Sequence, residues 1–213
     1  MKENYVFRRL LNLPIVYRLF EDFIAKKNGR QIFYDRYVGD VEGKSILDLG
    51  CGTGDILDCI TGEKRYIGID NNKKYIEQNK ERFKGRKTAN FYYADLNTYA
   101  EKCEGKFDMI LLIGVIHHIS DDEVEKAMIS IKNLLNKGGI FISHDPCYTK
   151  DMNPIARILC KLDRGQYVRY KEQYIKMMNK FWDDIWYEIQ TDTLRFLPYS
   201  VIIFKNKDGI GGD

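Results

Sequence analysis

The 213-residue chain has no pair of cysteines at C-x-x-C spacing; its five cysteines, Cys51, Cys59, Cys103, Cys147 and Cys160, are odd in number and far apart. That pattern indicates neither a zinc site nor a disulfide framework, and it fits a reducing cytoplasm. No apolar run is long enough to span a bilayer, because Arg8, Arg9, Pro14, Arg18, Glu21 and Asp22 interrupt the N-terminal stretch. Neither a secretory signal nor an integral membrane segment is expected. A large charge excess is also missing: the formal net charge is +3 and the pI is near 8.4, too mild for a nucleic-acid-binding domain, which usually concentrates basic residues on one face. No internal repeat, low-complexity tract or carboxylate cluster suited to a metal stands out, so no metal is expected. Histidine is scarce, with only His117, His118 and His144 in the chain.

What remains is ordinary globular composition, 44% hydrophobic and 31% charged, in a length that suits one domain with a substantial core. The organising stretch is Ser45-Ile46-Leu47-Asp48-Leu49-Gly50-Cys51-Gly52-Thr53-Gly54-Asp55. It reads as a buried strand running into a glycine turn, with a helix expected to start near Asp55. Glycine is required where φ is positive or where a ligand must approach the backbone. Three glycines directly after an apolar strand point to a nucleotide-type ligand. The dinucleotide fingerprint would need a third glycine where Asp55 stands, and an acid there would repel a pyrophosphate from the helix start. A ligand without phosphates and with a positive end fits better.

Asp48, Gly50, Gly52 and Gly54 match D/E-x-G-x-G-x-G after a hydrophobic strand, and the segment resembles motif I of the class I methyltransferases that use S-adenosylmethionine (SAM). The resemblance implies a Rossmann-like α/β fold: a doubly wound, mostly parallel seven-stranded sheet with N-terminal helices, a helical insertion before the last two strands, and one strand antiparallel. It implies SAM as cofactor, with Asp48, Gly50, Cys51, Gly52, Thr53 and Gly54 at the loop. Cys51 reads as a small packing residue rather than a nucleophile.

Further along, Tyr66-Ile67-Gly68-Ile69-Asp70 is a second strand ending in an acid. Asp70 lies at the separation where a carboxylate reaches ribose hydroxyls, with the alternative of capping the next helix; Asn71 follows it. Ala89 to Ala94 is a third strand, and Asp95-Leu96 after it sits where the resembled family binds the adenine amino group. Phe107 to Gly114 is a fourth strand whose continuous apolar run marks a central position covered on both faces. Ile113 and Gly114 end it beside the cofactor, and Val115-Ile116-His117-His118-Ile119 resembles the family's post-strand motif. Ser120 to Glu123 is a capping box starting a helix to about Asn136. Ile140 to Ser143 is a fifth strand, followed by His144-Asp145-Pro146. Helices are expected at Asn4 to Lys27, Gly29 to Val38, Ile56 to Ile60, Asn72 to Phe83, Asn153 to Lys161 and Tyr170 to Phe181, and two final strands at Ile185 to Thr191 and Tyr199 to Lys205.

Strands alternating with helices give a parallel sheet whose ligands sit beyond the carboxyl ends of the strands, where these motifs converge. The expected organisation is a helical cap over 1–40, a SAM-binding domain over 41–207 with a substrate-side insertion at 148–180, and a frayed tail at 208–213. Methyl transfer from SAM chiefly requires alignment of acceptor and methyl group, and an oxygen or nitrogen acceptor also sheds a proton. His117 and His144, then His118, are the candidate bases; His118 alternatively locks its turn by facing inward. Asp145 is a candidate partner or substrate ligand, and Tyr34, Tyr37, Arg164 and Arg169 are candidate substrate contacts.

The expected acceptor is a small molecule rather than a nucleic acid. The Asp163 to Arg169 stretch loosely resembles methyltransferases of sugar and surface-polysaccharide pathways. The basic N-terminal stretch leaves a lipid or quinone-type acceptor as the rival. A non-catalytic SAM-binding protein and a nicotinamide dehydrogenase are the rivals of other classes. A monomer or homodimer is expected.

Overall fold

Ser45–Leu49 forms β1 because three of its five residues are apolar and all four positions from Ile46 to Leu49 are buried. The computed structural model describes residues 29–96, 98–99, 103, 105–162, 165–191 and 199–206. The helix expected over Asn4 to Lys27 and the tail at 208–213 lie outside these residues. Within them, α1 (Gly29–Phe33) continues into a π turn (Tyr34–Val38) and precedes β1. Then come a single 3-10 turn (Asp55–Asp58), β2 (Arg65–Asp70), α2 (Lys73–Arg82), β3 (Ala89–Tyr93) and β4 (Phe107–Ile113). A short 3-10 turn (Ile116–His118), α3 (Asp121–Leu134), β5 (Leu135–Tyr148), α4 (Pro154–Leu162), β6 (Arg169–Tyr170), α5 (Lys171–Met178), β7 (Ile185–Gln190) and β8 (Val201–Asn206) follow among the described residues.

Seven strands follow the order β3-β2-β1-β4-β5-β8-β7, and the two-residue β6 pairs with the end of β5, making eight in all. The first five strands on this path are parallel. β8 runs antiparallel to both β5 and β7. The doubly wound sheet and its antiparallel strand therefore agree with expectation, and β6 is an addition to it. Alternating residues supply two cores. Leu47, Ile67, Ile110 and Phe141 face α3 and α5, where Val124, Met128 and Met178 meet them. Ile46, Tyr66, Met109 and Ile142 face the other way, against Val38, Ile56 and Ile76. This two-sided burial explains why β4 is apolar almost throughout.

Helix ends follow local chemistry. Asn72 caps α2 through its side chain, which accepts from Lys74 N at 3.0 Å. Ser120 and Glu123 form the reciprocal capping box of α3.

Two elements differ from the sequence reading. The stretch after the glycine loop is one 3-10 turn rather than a helix from Ile56 to Ile60. The fifth strand is much longer than Ile140 to Ser143: α3 stops at Leu134, and Leu135 already pairs with Phe107, with a register shift before Met109. The irregular strand entry is held by Asn206, whose Oδ1 accepts from Phe141 N at 2.7 Å and whose Nδ2 donates to Gly139 O at 2.9 Å. Asn206 is buried, so Asn206→Ala strands two buried backbone groups. At about 1–3 kcal/mol per unpaired group, the variant is expected to lose about 2–6 kcal/mol in chemical denaturation.

Candidate active site

The site lies along the carboxyl ends of β1, β2, β3, β4 and β5. Gly50, Gly52 and Gly54 have φ of 79°, 50° and 69°, so the turn after β1 depends on left-handed backbone. Their surroundings differ. A Cβ on Gly50 would fall 2.3 Å from Val115 Cγ2, so this glycine lets the turn after β4 close in. Among the described residues a Cβ on Gly52 would meet nothing within 4 Å, so this glycine has an open side there.

The loop is held from outside. Asp70 at the end of β2 accepts from Gly52 N at 2.9 Å and from Asn72 N at 2.7 Å. Burial raises its pKa and these two backbone bonds oppose the rise. Asp70 thus both shapes the loop and caps the entry to α2. From α2, Asn79 donates to Gly52 O at 2.8 Å and Arg82 to Thr53 O at 2.8 Å. Neither supporting residue stood out in the sequence; only their i, i+3 spacing marks one helix face. Gly68, inside β2, is a further omission. A Cβ there would sit 2.8 Å from Phe91 and 3.0 Å from Cys51 Sγ, and an isolated strand glycine was the available signal. Cys51 is buried and its thiol pKa is raised by that burial, which suits packing rather than nucleophilic attack.

Asp55 differs from expectation. It is not a bare charge facing a ligand: Arg30 Nη1 lies 3.2 Å from Oδ2, Arg82 Nη1 lies 3.1 Å from Oδ1, and Thr53 Oγ1 donates to it at 2.9 Å. Repulsion by Asp55 therefore does not disfavour a pyrophosphate here. The shortness of the Asp55–Asp58 turn does, because one 3-10 turn supplies little helix dipole for an anion.

Asp48 lies below the loop, buried, accepting from Tyr66 OH at 2.7 Å. Burial drives its pKa up to about 7, with the Tyr66 bond opposing and Asp70 adding to the rise. Tyr34 packs beside the same core, and burial, with the Asp48 carboxylate next in effect, raises its pKa. Tyr37 instead faces β7: it is buried against Trp186 and its hydroxyl accepts from Gln190 Nε2 at 2.5 Å. Tyr37 is therefore corrected from a substrate contact to a fastening of the cap. Asp95 is exposed at the end of β3 and caps the following turn through Thr98 N at 3.1 Å. Asn71 is exposed and Leu96 half-buried at the same rim. Ile113 and Gly114 follow on β4, with Gly114 N donating to His144 O at 2.7 Å.

The histidines separate clearly. His117 faces inward: its Nδ1 lies 2.7 Å from Asp145 Oδ1 and its backbone N donates to the same oxygen at 3.1 Å. Its Cε1 edge faces Gly114, 3.9 Å from where a Cβ would stand. Burial raises the pKa of Asp145 and the His117 bonds oppose that rise. Among the described residues, the other oxygen, Oδ2, is buried without a hydrogen-bond partner. Asp145 is thus a partner of His117, the first of its two expected roles. His118 is exposed, with its ring 4.0 Å from that of His117. The inward-facing member is therefore His117, whose ring is buried and lies against Asp145.

His144 packs edge-on against Phe33 at 5.0 Å. Burial, and next the nearby His117, lowers its pKa to about 4, which makes it a poor proton acceptor at neutral pH. Arg169, expected to touch substrate, is buried and bonded to its own chain. Arg164 lies outside the described residues. Among the described residues no group of three or more His, Cys, Asp or Glu could hold a metal ion, and no helix is long and apolar enough to cross a membrane.

A glycine loop braced by an acid at the next strand end, on a sheet of this order, defines the class I methyltransferase fold. The structure is similar to a SAM-dependent methyltransferase from Archaeoglobus fulgidus, with a TM-score of 0.68 and 16% identity over 89% of this chain and 98% of that one. It is similar also to the N-methyltransferase NodS from Bradyrhizobium japonicum in complex with S-adenosyl-l-homocysteine, with a TM-score of 0.63 and 15% identity over 83% and 82% of the two chains. At such identities the likeness speaks for the fold alone. Residues 40–193 match the methyltransferase domain family, and the chain belongs to that family of enzymes. A relative from Clostridium acetobutylicum, an uncharacterized RNA methyltransferase, is 29% identical over 116 residues, 52% of this chain and 25% of the relative. The chain thus spans a quarter of that relative's length.

The lowered pKa of His144 has a consequence for acid stability. Between its ordinary value of 6.5 and its folded value of about 4, the unfolded chain binds the proton and the folded chain does not. Its contribution to stability is therefore lost progressively as pH falls through that window. His144→Phe is expected to gain about 1–3 kcal/mol relative to the parent between pH 6.5 and 4, at about 1.36 kcal/mol per pH unit. Parallel denaturation curves at each pH check this; a constant difference would sink it.

Proposed function

We propose that the protein transfers a methyl group from SAM to an oxygen or nitrogen of a small, oxygen-rich metabolite, such as a sugar or a surface-polysaccharide precursor. The observation that carries the cofactor assignment is the pairing of an open-sided Gly52 with the Asp70 carboxylate that bonds its N–H. The open side admits a ligand to the backbone, and a carboxylate oxygen has acceptor capacity beyond its bond to Gly52, enough for a ribose diol. Asp95 and Leu96 would meet the adenine, and Ile113 and Gly114 the methionine portion. SAM supplies an electrophilic methyl group bonded to a sulfonium.

The chain's own residues do the rest. The rim positions cofactor and acceptor, which is the main catalytic requirement of such a displacement. His117 receives the acceptor's proton. Asp145 holds its Nδ1, so Nε2 is the nitrogen that meets the acceptor.

The aromatic and basic residues of the insertion support an oxygen-rich acceptor. There Arg157 donates to Tyr170 OH at 3.3 Å, and the rings of Tyr148 and Tyr170 lie 5.3 Å apart. The basic N-terminal stretch that would favour a lipid or quinone lies outside the described residues.

Calorimetric titration with SAM, S-adenosylhomocysteine and NAD tests the class: SAM and its product should bind, and tight NAD binding without SAM binding overturns the reading. Asp70→Ala is expected to weaken SAM binding by about 1–3 kcal/mol, the scale of hydrogen bonds to a charged group. Unchanged affinity would remove Asp70 from the site. His117→Ala should keep SAM affinity and slow transfer to sugar or quinol acceptors by about 10²–10⁴-fold, the usual share of acid–base catalysis. Full activity would exclude His117 as the base, and loss in His118→Ala alone would move that role to the exposed ring.

A further inference from the structure

We infer that Arg169 is a positioning residue that sets the turn carrying His117. The inference rests on the reading of His117 as the proton-handling group. Ile116–His118 is a three-residue 3-10 turn, and such turns have poor internal hydrogen bonds and little stability of their own. Its shape must come from outside. Arg169 supplies it from the other side of the insertion: Nη1 donates to Ile116 O at 2.9 Å, and Nη2 donates to Ile119 O at 2.8 Å. These two carbonyls bracket the two histidines. Nε donates to Asp121 Oδ1 at 2.7 Å, at the start of α3, so the guanidinium also ties the turn to the helix after it.

A second strand of chain completes the grip. Arg169 Nη1 also donates to Tyr167 O at 2.9 Å, while Tyr167 N donates to His117 O at 2.9 Å. The arginine thus fixes the backbone that in turn fixes His117. At Gly165 this segment passes so close that a Cβ would stand 2.1 Å from His117 Cδ2 and 2.5 Å from His117 O. Only glycine permits that approach, which brings the backbone of this segment against the imidazole. Arg169 is 6% exposed, and its donors are directed at carbonyls and at Asp121. Its geometry therefore fits holding this turn and not gripping a substrate anion. A lysine offers a point charge in place of the planar fork and cannot satisfy these acceptors together.

The test uses the full chain and the ring-nitrogen NMR signals of its three histidines, assigned by single substitutions. In the parent, His117 should show one tautomer, protonated at Nδ1. In Arg169→Lys and in Gly165→Ala, its signals should move to the average of two tautomers, those of His144 should stay in place, and the affinity for SAM should stay within about two-fold. A single unchanged His117 tautomer in both variants overturns the inference. So does a change that affects all three histidines equally and abolishes SAM binding, because that reports general loss of structure. If Arg169→Lys does not fold, Arg169→Gln, which loses the charged fork and keeps one amide donor, is read in the same way. Activity of His117→Ala separates the two claims: full methyl transfer there would refute the role of His117 and leave the tautomer result standing.

Discussion

The site depends first on the Asp70 carboxylate, which holds Gly52 N with one oxygen and Asn72 N with the other. Through this side chain, the end of β2, the turn after β1 and the start of α2 become one unit. The glycines make the left-handed turn accessible but do not select one shape for it. Asp70, Asn79 and Arg82 do, and they leave the Gly52 side open. Burial works against the ionised carboxylate and the two N–H bonds offset it, so loop geometry and charge state are coupled. A cofactor that also bonds Asp70 enters a site whose backbone is already in place, which lowers the ordering cost of binding.

Along the same rim, the two inner candidates for acid–base work are driven apart by their surroundings. His144 lies under Phe33 with a pKa of about 4. His117 has a buried carboxylate at 2.7 Å. Adjacent positions on β5 supply both environments, because Asp145 and His144 project to opposite faces of one strand. The sheet thereby gives two identical side-chain types different surroundings.

Much of this was legible in the chain because it is local. The apolar runs of β1, β2 and β4, the Gly50-Gly52-Gly54 series, the Ser120 to Glu123 capping box and the acids at strand ends are patterns within a few residues. What was not legible depends on contacts across the fold. β5 begins early because Asn206, more than sixty residues away, secures its irregular entry. His117 rather than His118 turns inward because Asp145 reaches it. Arg169 and Tyr37 read as substrate contacts because a basic or phenolic side chain in the right region looks the same whether it faces a ligand or its own backbone. Asp55 read as a repelling charge because Arg30 and Arg82 come to it from separate elements.

The bond from Arg169 to the Ile116 carbonyl joins residues 53 positions apart. A contact of such sequence separation cannot form until the intervening chain has been made and folded back, and loop closure of this kind is slow relative to local structure. The sheet strands up to β5 can assemble from residues preceding the insertion. The histidine turn acquires its final geometry only when the segment carrying Gly165 and Arg169 has docked. The turn that carries His117 therefore gains its bonds from Arg169 only through a contact of long sequence separation, whereas Gly52 is held by Asp70, 18 positions away.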